Sequence, residues 1–384
     1  MKKATTRRPT RKPVRIALVM IVRDEAESIA RCLLSAKGAV DEMIVLDTGS
    51  TDATIAIARD LGAKVFEWAW RDDFAAARNE ALSHSAADWN LILDADEWLV
   101  GDGQLLRQAV QNEPASGGRF VGILPFQSML DRQQAGTNVT DAVMASALDS
   151  PGTAAPAVDK TDTADIKSIY FSWLPRLLPR GVGYRGRIHE QIRSELPFIK
   201  VAVEVSHDGY LWNKLVQKKG RNRKLLMEAV SDEPDSPYYN YQLGKDFDMY
   251  GDYSEAVSCY EKALHLVLPT HMYRIDMVVR TMVCLMQLDR CELAYQFAED
   301  EMQYCQRSPD FFYVLAHLMV GLAKKHPGRA RDEWLPMAKI SLMFCLKLGD
   351  APDIEGSISG RGSHFAASDL TKINLVLDRL NGTI

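Results

Sequence analysis

The chain has 384 residues, of which 47% are hydrophobic and 25% are charged, and its formal net charge is −5 at pH 7. At that length a single hydrophobic core stops growing, so we expect two domains. The mild negative charge argues against a nucleic-acid partner and against a membrane-surface protein that is held by phosphate contacts.

Basic residues dominate the segment 1–14, which contains no acidic residue. This composition is typical of a solvated, disordered tail, with weak attraction to anionic lipid or to an acceptor as the alternative. The apolar stretch that follows, at 16–22, is too short for a signal-peptide core or a membrane span. We therefore expect a soluble cytoplasmic protein with no integral membrane segment.

Short apolar runs alternate with amphipathic stretches along the first quarter of the chain. The pattern predicts strands at 16–22, 43–46, from 64 onward and at 89–93. It predicts helices at 25–37, from 51 or 52 to 62, and at 74–84. Strands that alternate with helices in this way indicate an α/β fold with a parallel sheet.

Carboxylates follow several of these strands. Asp24, Asp47 and Asp94 each stand at the carboxyl end of a predicted strand, where open parallel sheets bind their ligands. Asp96 follows Asp94 by two positions, so both can reach one ligand if the backbone turns there. Oxygen ligands together with phosphate suit Mg²⁺ or Mn²⁺. The pattern therefore predicts a divalent metal that neutralises a departing diphosphate.

Two further regions differ in composition from this α/β part. Residues 131–165 are rich in Ala, Thr, Asp, Gly and Pro, which predicts a mobile insertion, either an acceptor-side lid or a tolerated surface loop. After residue 220 helical patterns dominate. The following residues fall close to the spacing of a tetratricopeptide unit: Leu243, Gly244, Phe247, Gly251, Tyr253, Ala256, Tyr260, Ala263 and Pro269. We expect a stack of helical repeats at 220–384.

Five motifs together resemble family 2 glycosyltransferases of the GT-A fold: residues 22–25, 47–52, 73–74, 77–79 and 88–97. Within that family the chain is similar to lipopolysaccharide-core glucosyltransferases and to the peptide S-glycosyltransferases of the glycocin type, which modify bacteriocin cysteines. The helical tail, with its segment 349–356, resembles the second branch more. The resemblance implies a GT-A domain at 15–213, with a Rossmann-like mixed sheet, followed by an all-α repeat domain.

The resemblance also implies roles for individual residues. Asp47 would bind the nucleoside, with Arg23 and Glu25 in the same pocket, and Arg78 would approach the base or the phosphates. Asp94 would contact the sugar or ribose, and Asp96 would bind Mn²⁺ or Mg²⁺. The predicted nucleotide-sugar site comprises Val22, Arg23, Glu25, Asp47, Ser50, Asp52, Arg78, Asp94 and Ala95.

A second cluster of chemically active residues lies at 184–190 and 205–210. Inverting glycosyl transfer needs a base that deprotonates the acceptor opposite the leaving group. Glu190 is the candidate base, and Asp208 is the alternative. His207 would complete the metal site, unless it is a structural histidine. Arg176, Arg185 and Arg187 could neutralise the diphosphate, or could be charges on an exposed strand.

These motifs predict an inverting transferase that moves a hexose from UDP-glucose or UDP-N-acetylglucosamine. The acceptor is either a peptide Cys, Ser or Thr or a lipopolysaccharide-core saccharide, and a homodimer is an open expectation. A nucleotidyltransferase would need a glycine-rich phosphate loop that 22–25 does not provide, and no GxGxxG motif follows the first strand as in a dehydrogenase. The remaining alternative is a peptide-binding repeat scaffold with an inactive transferase domain.

Overall fold

The computed structural model describes residues 13–111, 119–130, 168–209 and 220–382. Residues 1–12 of the predicted tail and the predicted insertion at 131–165 lie outside these ranges. The chain divides into two compact units. The first extends to Pro125 and includes Leu174–Gly186 and Glu190–Val205, and the second contains Phe126–Trp173, Arg187–His189 and everything from Ser206 onward.

The first unit contains the predicted alternation of strands and helices. Its strands are β1 (Ile16–Val22), β2 (Glu42–Asp47), β3 (Lys64–Glu67), β4 (Trp89–Ile92) and β5 (Glu97–Val100). Its helices are α1 (Ile29–Ala36), α2 (Thr54–Asp60), α3 (Phe74–Ser83) and α4 (Gln104–Gln111). Helix α1 begins later than predicted because residues 25–28 form a turn, in which the N–H groups of Ser28 and Ile29 donate to the Glu25 carbonyl.

The sheet is mixed rather than wholly parallel. Later strands are β6 (Val121–Leu130), β7 (Ser168–Pro179), β8 (Gly183–Arg185), β9 (Gln191–Arg193), β10 (Phe198–Lys200) and β11 (Glu204–His207). β1 lies between β2 and β4 and is parallel to both, β3 extends β2 in parallel, and β7 runs antiparallel to β4. Strands β8 and β9 form a separate antiparallel hairpin. Because β1, β2 and β4 are parallel neighbours, their carboxyl ends lie at one edge of the sheet.

Helices form the greater part of the second unit. They are α5 (Arg221–Asp232), α6 (Pro237–Met249), α7 (Tyr253–Leu266), α8 (Arg274–Gln287), α9 (Cys291–Cys305), α10 (Pro309–Lys325), α11 (Leu335–Leu348) and α12 (His364–Leu380). A short turn at Pro327–Arg329 and a π-helical turn at Ala330–Trp334 join α10 to α11. The serines that precede α6 and α10 cap them, because each side chain accepts a backbone N–H from the first turn.

The predicted tetratricopeptide-like unit is the pair α6 and α7. A Cβ at Gly244 would lie 2.6 Å from Cε1 of Tyr260, so only glycine lets the two helices approach this closely. Tyr260 is fully buried at that contact. The later pairs, α8 with α9 and α10 with α11, form in the same order although their sequence motif is degenerate. Helical periodicity therefore predicted these pairs better than the repeat signature did.

The segment at 350–361, between α11 and α12, lies against the first helices of the repeats. It forms an antiparallel ribbon with the start of β7, in which Phe171 N–H donates to the Ser357 carbonyl at 2.8 Å. Asp310 on α10 accepts hydrogen bonds from the Ile358 N–H and from Arg361, each at 3.0 Å. The repeat face formed by α8 and α10 is therefore in contact with the chain itself.

No helix within the described ranges is both long enough and apolar enough to cross a membrane.

Candidate active site

Two loops at the carboxyl ends of β1 and β2 are joined by backbone-to-side-chain hydrogen bonds. The N–H of Asp24 donates to Ser50 Oγ at 2.9 Å, and the N–H of Thr51 donates to Asp24 Oδ1 at 2.7 Å. The N–H of Glu25 donates to Thr54 Oγ1 at 2.8 Å. These bonds fix the relative position of the motifs at 22–25 and 47–52. The two motifs are therefore close enough to bind one ligand together.

Asp52 belongs to the same loop contacts. Its Oδ2 accepts the N–H of Ala26 at 3.1 Å and its Oδ1 accepts the N–H of Thr54 at 2.9 Å. Burial raises the pKa of Asp52, but the hydrogen bonds from Thr54 and Ala26 outweigh it and hold the pKa below its ordinary value. The side chains of Ser50 and Asp52 thus both accept hydrogen bonds that hold the two loops together. The ligand contacts predicted for these residues stay predictions.

Asp47 is the last residue of β2, in register with Val22, the last residue of β1. Its Oδ1 accepts the N–H groups of Gly49 and Ser50 at 2.9 Å each. Its Oδ2 is buried and has no hydrogen-bond partner in the described part of the chain. A buried carboxylate oxygen without a donor is costly. This atom is therefore a ready acceptor for an N–H or O–H group of a ligand.

The other residues predicted at this end of the site differ in exposure. Val22 and Ala95 are buried. The side chain of Arg23 is 52% exposed and lies 3.8 Å from Asp24 Oδ2, which leaves it able to swing toward a ligand or remain in solvent. Glu25 contributes its backbone to the turn before α1. The structure thus brings Val22 and Asp47 together and leaves Arg23 at the surface.

A chain of ion pairs crosses the site from α3 to β5. Arg78 on α3 donates through Nη2 to Asp94 Oδ1 at 2.8 Å and through Nε to Glu190. Arg176 on β7 donates to Asp94 Oδ2 at 3.0 Å and to Glu97. Glu97 in turn accepts the N–H of Asp94 at 2.8 Å. Two guanidinium groups therefore share three carboxylates, and both oxygens of Asp94 accept from arginine.

These contacts decide the charge state of the cluster. Burial raises the pKa of Asp94, but Arg78 and Arg176 outweigh it and hold that pKa well below its usual range. Burial lowers the pKa of Arg176, yet Glu97 and Asp94 raise it further, so the net shift is upward. The arginines and Asp94 are thus ionised at every physiological pH.

Asp96 and His207 are the two residues predicted to hold a metal. No group of three His, Cys, Asp or Glu side chains placed to bind a cation occurs among residues 13–111, 119–130, 168–209 and 220–382. Asp96, two positions after Asp94, is buried. His207 belongs to the second unit, where its Nδ1 lies 3.1 Å from Ser128 Oγ. Mg²⁺ commonly uses one or two carboxylates plus substrate phosphates, so Asp96 fits such a cation when a diphosphate supplies the remaining ligands.

The motif Ala77-Arg-Asn79 attaches the hairpin β8–β9 to α3. Asn79 Nδ2 donates to the Tyr184 carbonyl at 2.9 Å, and its Oδ1 accepts the Tyr184 N–H at 2.8 Å. A Cβ at Gly183 would lie 2.6 Å from that Oδ1, so glycine is required next to these two hydrogen bonds. Arg78 and Asn79 together position the hairpin and, with it, the candidate base Glu190.

The sequence gives no role to two members of this site, Glu97 in the acidic motif and Tyr184 in the second cluster. Arg176, predicted either to neutralise the diphosphate or to be a charge on an exposed strand, instead forms ion pairs with Asp94 and Glu97. Glu97 is the first residue of β5 and directly follows the acidic motif, so no local pattern in the sequence indicates that it is buried against Arg176. Asp208 lies in the second unit and remains an alternative base.

Comparison with known proteins supports the family resemblance. Residues 17–127 match the family model described as Glycosyl transferase family 2. A TPR repeat-containing protein of Synechococcus elongatus is 46% identical over 121 residues, covering 32% of this chain and 28% of that protein. The SPbeta prophage-derived glycosyltransferase SunS of Bacillus subtilis is 25% identical over 283 residues, covering 71% of this chain and 58% of SunS. The chain spans less than two thirds of the length of either relative.

Solved structures resemble the chain more distantly. TarS of S. aureus covers 73% of this chain with 55% of its own length, at 11% identity and a TM-score of 0.35. Glucosyl-3-phosphoglycerate synthase from Mycobacterium tuberculosis, in complex with Mn²⁺, uridine-diphosphate-glucose and phosphoglyceric acid, covers 37% of this chain with 56% of its own. That pair is 22% identical with a TM-score of 0.25.

Proposed function

We propose that the chain transfers a hexose from a UDP-sugar to an acceptor with inversion, a proposal supported by the match of residues 17–127 to the family model described as Glycosyl transferase family 2. UDP-glucose and UDP-N-acetylglucosamine are the two donors proposed. The acceptor is the side chain of a peptide Cys, Ser or Thr, or a saccharide such as a lipopolysaccharide-core sugar.

The observation that carries the proposal is the unpaired, buried Oδ2 of Asp47 at the end of β2. Its partner oxygen is held by Gly49 and Ser50, so the carboxylate cannot rotate to satisfy Oδ2 without losing two hydrogen bonds. A uracil N–H or a ribose hydroxyl is a donor of suitable chemistry for such an oxygen. We assign the nucleoside to this position, with Arg23 and Val22 beside it.

The diphosphate lies between the nucleoside and the ion-pair chain in this proposal. Asp96 would hold Mn²⁺ or Mg²⁺, which draws charge from the departing diphosphate when bound. Asp94 is presented to the sugar by Arg78 and Arg176, which fix both of its oxygens. Fixed charges of this kind stabilise a transition state without reorganisation at the moment of reaction.

Glu190 is the proposed base. One of its oxygens, Oε1, accepts from Arg78, which leaves Oε2 to take the proton of the acceptor. The acceptor oxygen or sulfur attacks the anomeric carbon as the bond from that carbon to the diphosphate oxygen breaks. The proton passes to Glu190 and the electron pair of the broken bond leaves with UDP, so one glycosidic bond replaces another with inverted configuration.

The scaffold alternative gains no support from the repeat face. Asp276 of α8 and Asp310 of α10, on the face where a peptide groove would lie, already contact the chain's own segment at 350–361. Asp310, for example, accepts both a backbone N–H and a guanidinium from that segment. No observation in the described residues favours an external peptide there over transfer chemistry.

Hydrolysis of a panel of nucleotide sugars tests the proposal. Wild-type protein should release UDP slowly from UDP-glucose or UDP-N-acetylglucosamine in Mn²⁺ or Mg²⁺, and chelation with EDTA should stop the release. Asp96→Ala should abolish it, whereas Asp102→Ala, at an exposed position of the same region, should not. If no nucleotide sugar of the panel gives turnover or a thermal shift, that result contradicts the proposal and favours the scaffold.

A further inference from the structure

Two buried polar atoms near the ion-pair chain have no hydrogen-bond partner within the described ranges, namely the hydroxyl of Tyr184 and Nη1 of Arg78. Both residues are less than a tenth exposed. Leaving a buried donor unpaired is costly, and native structures contain few such groups. Two of them beside one another indicate a place where a ligand supplies the missing partner.

The position of Tyr184 is set by its backbone and not by its hydroxyl. Asn79 holds the Tyr184 N–H and carbonyl at 2.8 and 2.9 Å, and the neighbouring Gly183 fits closely against the same amide. The Tyr184 ring centroid lies 5.7 Å from the guanidinium carbon of Arg78. A side chain that is held rigidly while its polar atom stays unpaired is typical of a preorganised binding residue.

The structural alternative is a tyrosine that only fills the core, since Tyr184 also packs with apolar residues such as Ala77 and Val182. A core tyrosine normally satisfies its hydroxyl, because the ring contributes the packing and the O–H needs a partner. Tyr313 in the second unit behaves in this way, with its hydroxyl donating to Asp369 at 2.9 Å. The contrast favours a ligand for Tyr184.

The charges around Tyr184 indicate which ligand fits. Two arginines are shared by three carboxylates in the ion-pair chain, so the cluster has no surplus positive charge for a phosphate. A sugar hydroxyl is neutral and can both accept from Arg78 or Tyr184 and donate to Asp94. Burial raises the pKa of Tyr184 to about 12, which keeps its phenol protonated as a donor at neutral pH.

We propose that the Tyr184 hydroxyl and Arg78 Nη1 bind a hydroxyl group of the transferred sugar ring, so that Tyr184 is a sugar-contacting residue that helps to select the hexose. This proposal rests on the proposed function, because it needs a sugar at the ion-pair chain. It extends that function by naming a contact that distinguishes the sugar from the nucleotide.

Tyr184→Phe in the full chain tests the proposal, because it removes one oxygen and keeps the ring. Binding of UDP and of the better-hydrolysed donor, UDP-glucose or UDP-N-acetylglucosamine, is measured by calorimetry together with kcat/KM for hydrolysis. We expect unchanged affinity for UDP, with about a 10-fold loss in both the affinity for the UDP-sugar and kcat/KM, as for one lost hydrogen bond. The thermal midpoint should not fall, since no existing hydrogen bond is removed.

Tyr313→Phe is the matched control. It should lower the thermal midpoint, because the bond to Asp369 is lost, and leave both affinities unchanged. Equal weakening of UDP and UDP-sugar by Tyr184→Phe would assign the hydroxyl to the diphosphate and overturn the proposal. Unchanged affinities and kcat/KM would overturn it as well and leave the proposed function intact. Wild-type protein that neither hydrolyses nor binds any UDP-sugar would instead refute the proposed function itself.

Discussion

Arg78 and Glu190 form an ion pair although 112 positions separate them in the sequence, and the same guanidinium also binds Asp94. One side chain thus joins the candidate base on the hairpin side to the carboxylate that follows β4. Arginine suits this task because its planar group presents several donors in fixed directions. The distance between the base and the sugar-side carboxylate therefore depends on Arg78.

Arg78→Lys should disrupt both functions of this residue. A lysine ammonium is compact and cannot bridge two carboxylates in the same geometry, so Asp94 or Glu190 loses its partner. Breaking a buried pair costs about 3–5 kcal/mol, and we expect a clear fall in the thermal midpoint together with loss of transfer. Arg59→Lys is the control, because its pair with Glu67 is exposed and contributes little. A lysine variant with wild-type stability and turnover would contradict the bridging role.

Glu190→Gln should separate binding from chemistry. The amide keeps the shape of the side chain and can still accept from Arg78, but it cannot take a proton from the acceptor. We expect unchanged binding of the UDP-sugar and a fall in transfer of about 10²–10⁴-fold, the range typical of a lost general base. Calorimetry and single-turnover transfer are the measurements.

Asp208→Asn is the comparison for that prediction. If Glu190 is the base, the Asp208 variant should retain transfer while the Glu190 variant does not. The reverse result would move the base to Asp208. Equal loss of binding and transfer in the Glu190 variant would instead give that residue a role in forming the site.

Gly356→Ala should loosen the segment at 350–361. Gly356 has φ +83°, and a Cβ there would lie 2.2 Å from Asp276 Oδ1, so the methyl group must displace a buried carboxylate. Strain in the left-handed region adds about 1–2 kcal/mol to that displacement. We expect a lower thermal midpoint and faster amide exchange at the ribbon residues Phe171 and Ser357.

Gly251→Ala is the matched control for the steric contact between the added Cβ at position 356 and Asp276. Gly251 has φ +84° but nothing within 4 Å of the added Cβ, so it carries the backbone strain alone. The difference between the two variants then measures the contact with Asp276. Equal destabilisation by Gly356→Ala and Gly251→Ala would show that the segment at 350–361 can move away from Asp276 without loss of stability. The segment would then not be tightly packed on the repeat.

Local patterns predicted the strands and helices well, because apolar spacing and helix caps are encoded within a few residues. β1, at Ile16–Val22, was predicted to the residue. The site was predicted only in part. Asp47 and Asp94 follow strands and are visible in the sequence, whereas the pairing of Arg176 with Glu97 depends on an antiparallel strand from a distant segment. The contact between 350–361 and α10 is long-range in the same sense, and no local pattern encodes it.

The stability of the second unit should depend on pH through Glu355. Burial raises the pKa of this carboxyl to about 7, while Lys245 and the N–H of Trp173, which donates at 2.9 Å, oppose the rise. The folded state thus holds a proton that the unfolded chain, with its lower ordinary pKa, releases. Stability contributed by the protonated form is complete at low pH and is lost as the pH rises toward about 7.

Glu355→Gln should remove this dependence, because glutamine keeps an oxygen that can accept from Trp173 and never ionises. We expect the variant to exceed wild type by about 1–2 kcal/mol at pH 8 and to approach it at pH 5, measured as the shift in thermal midpoint at each pH. Glu261→Gln, at an exposed position on α7, is the control and should follow wild type at both values. A Glu355 variant that is less stable than wild type at pH 8 would mean that the ionised carboxylate stabilises the fold through Lys245 and Arg280.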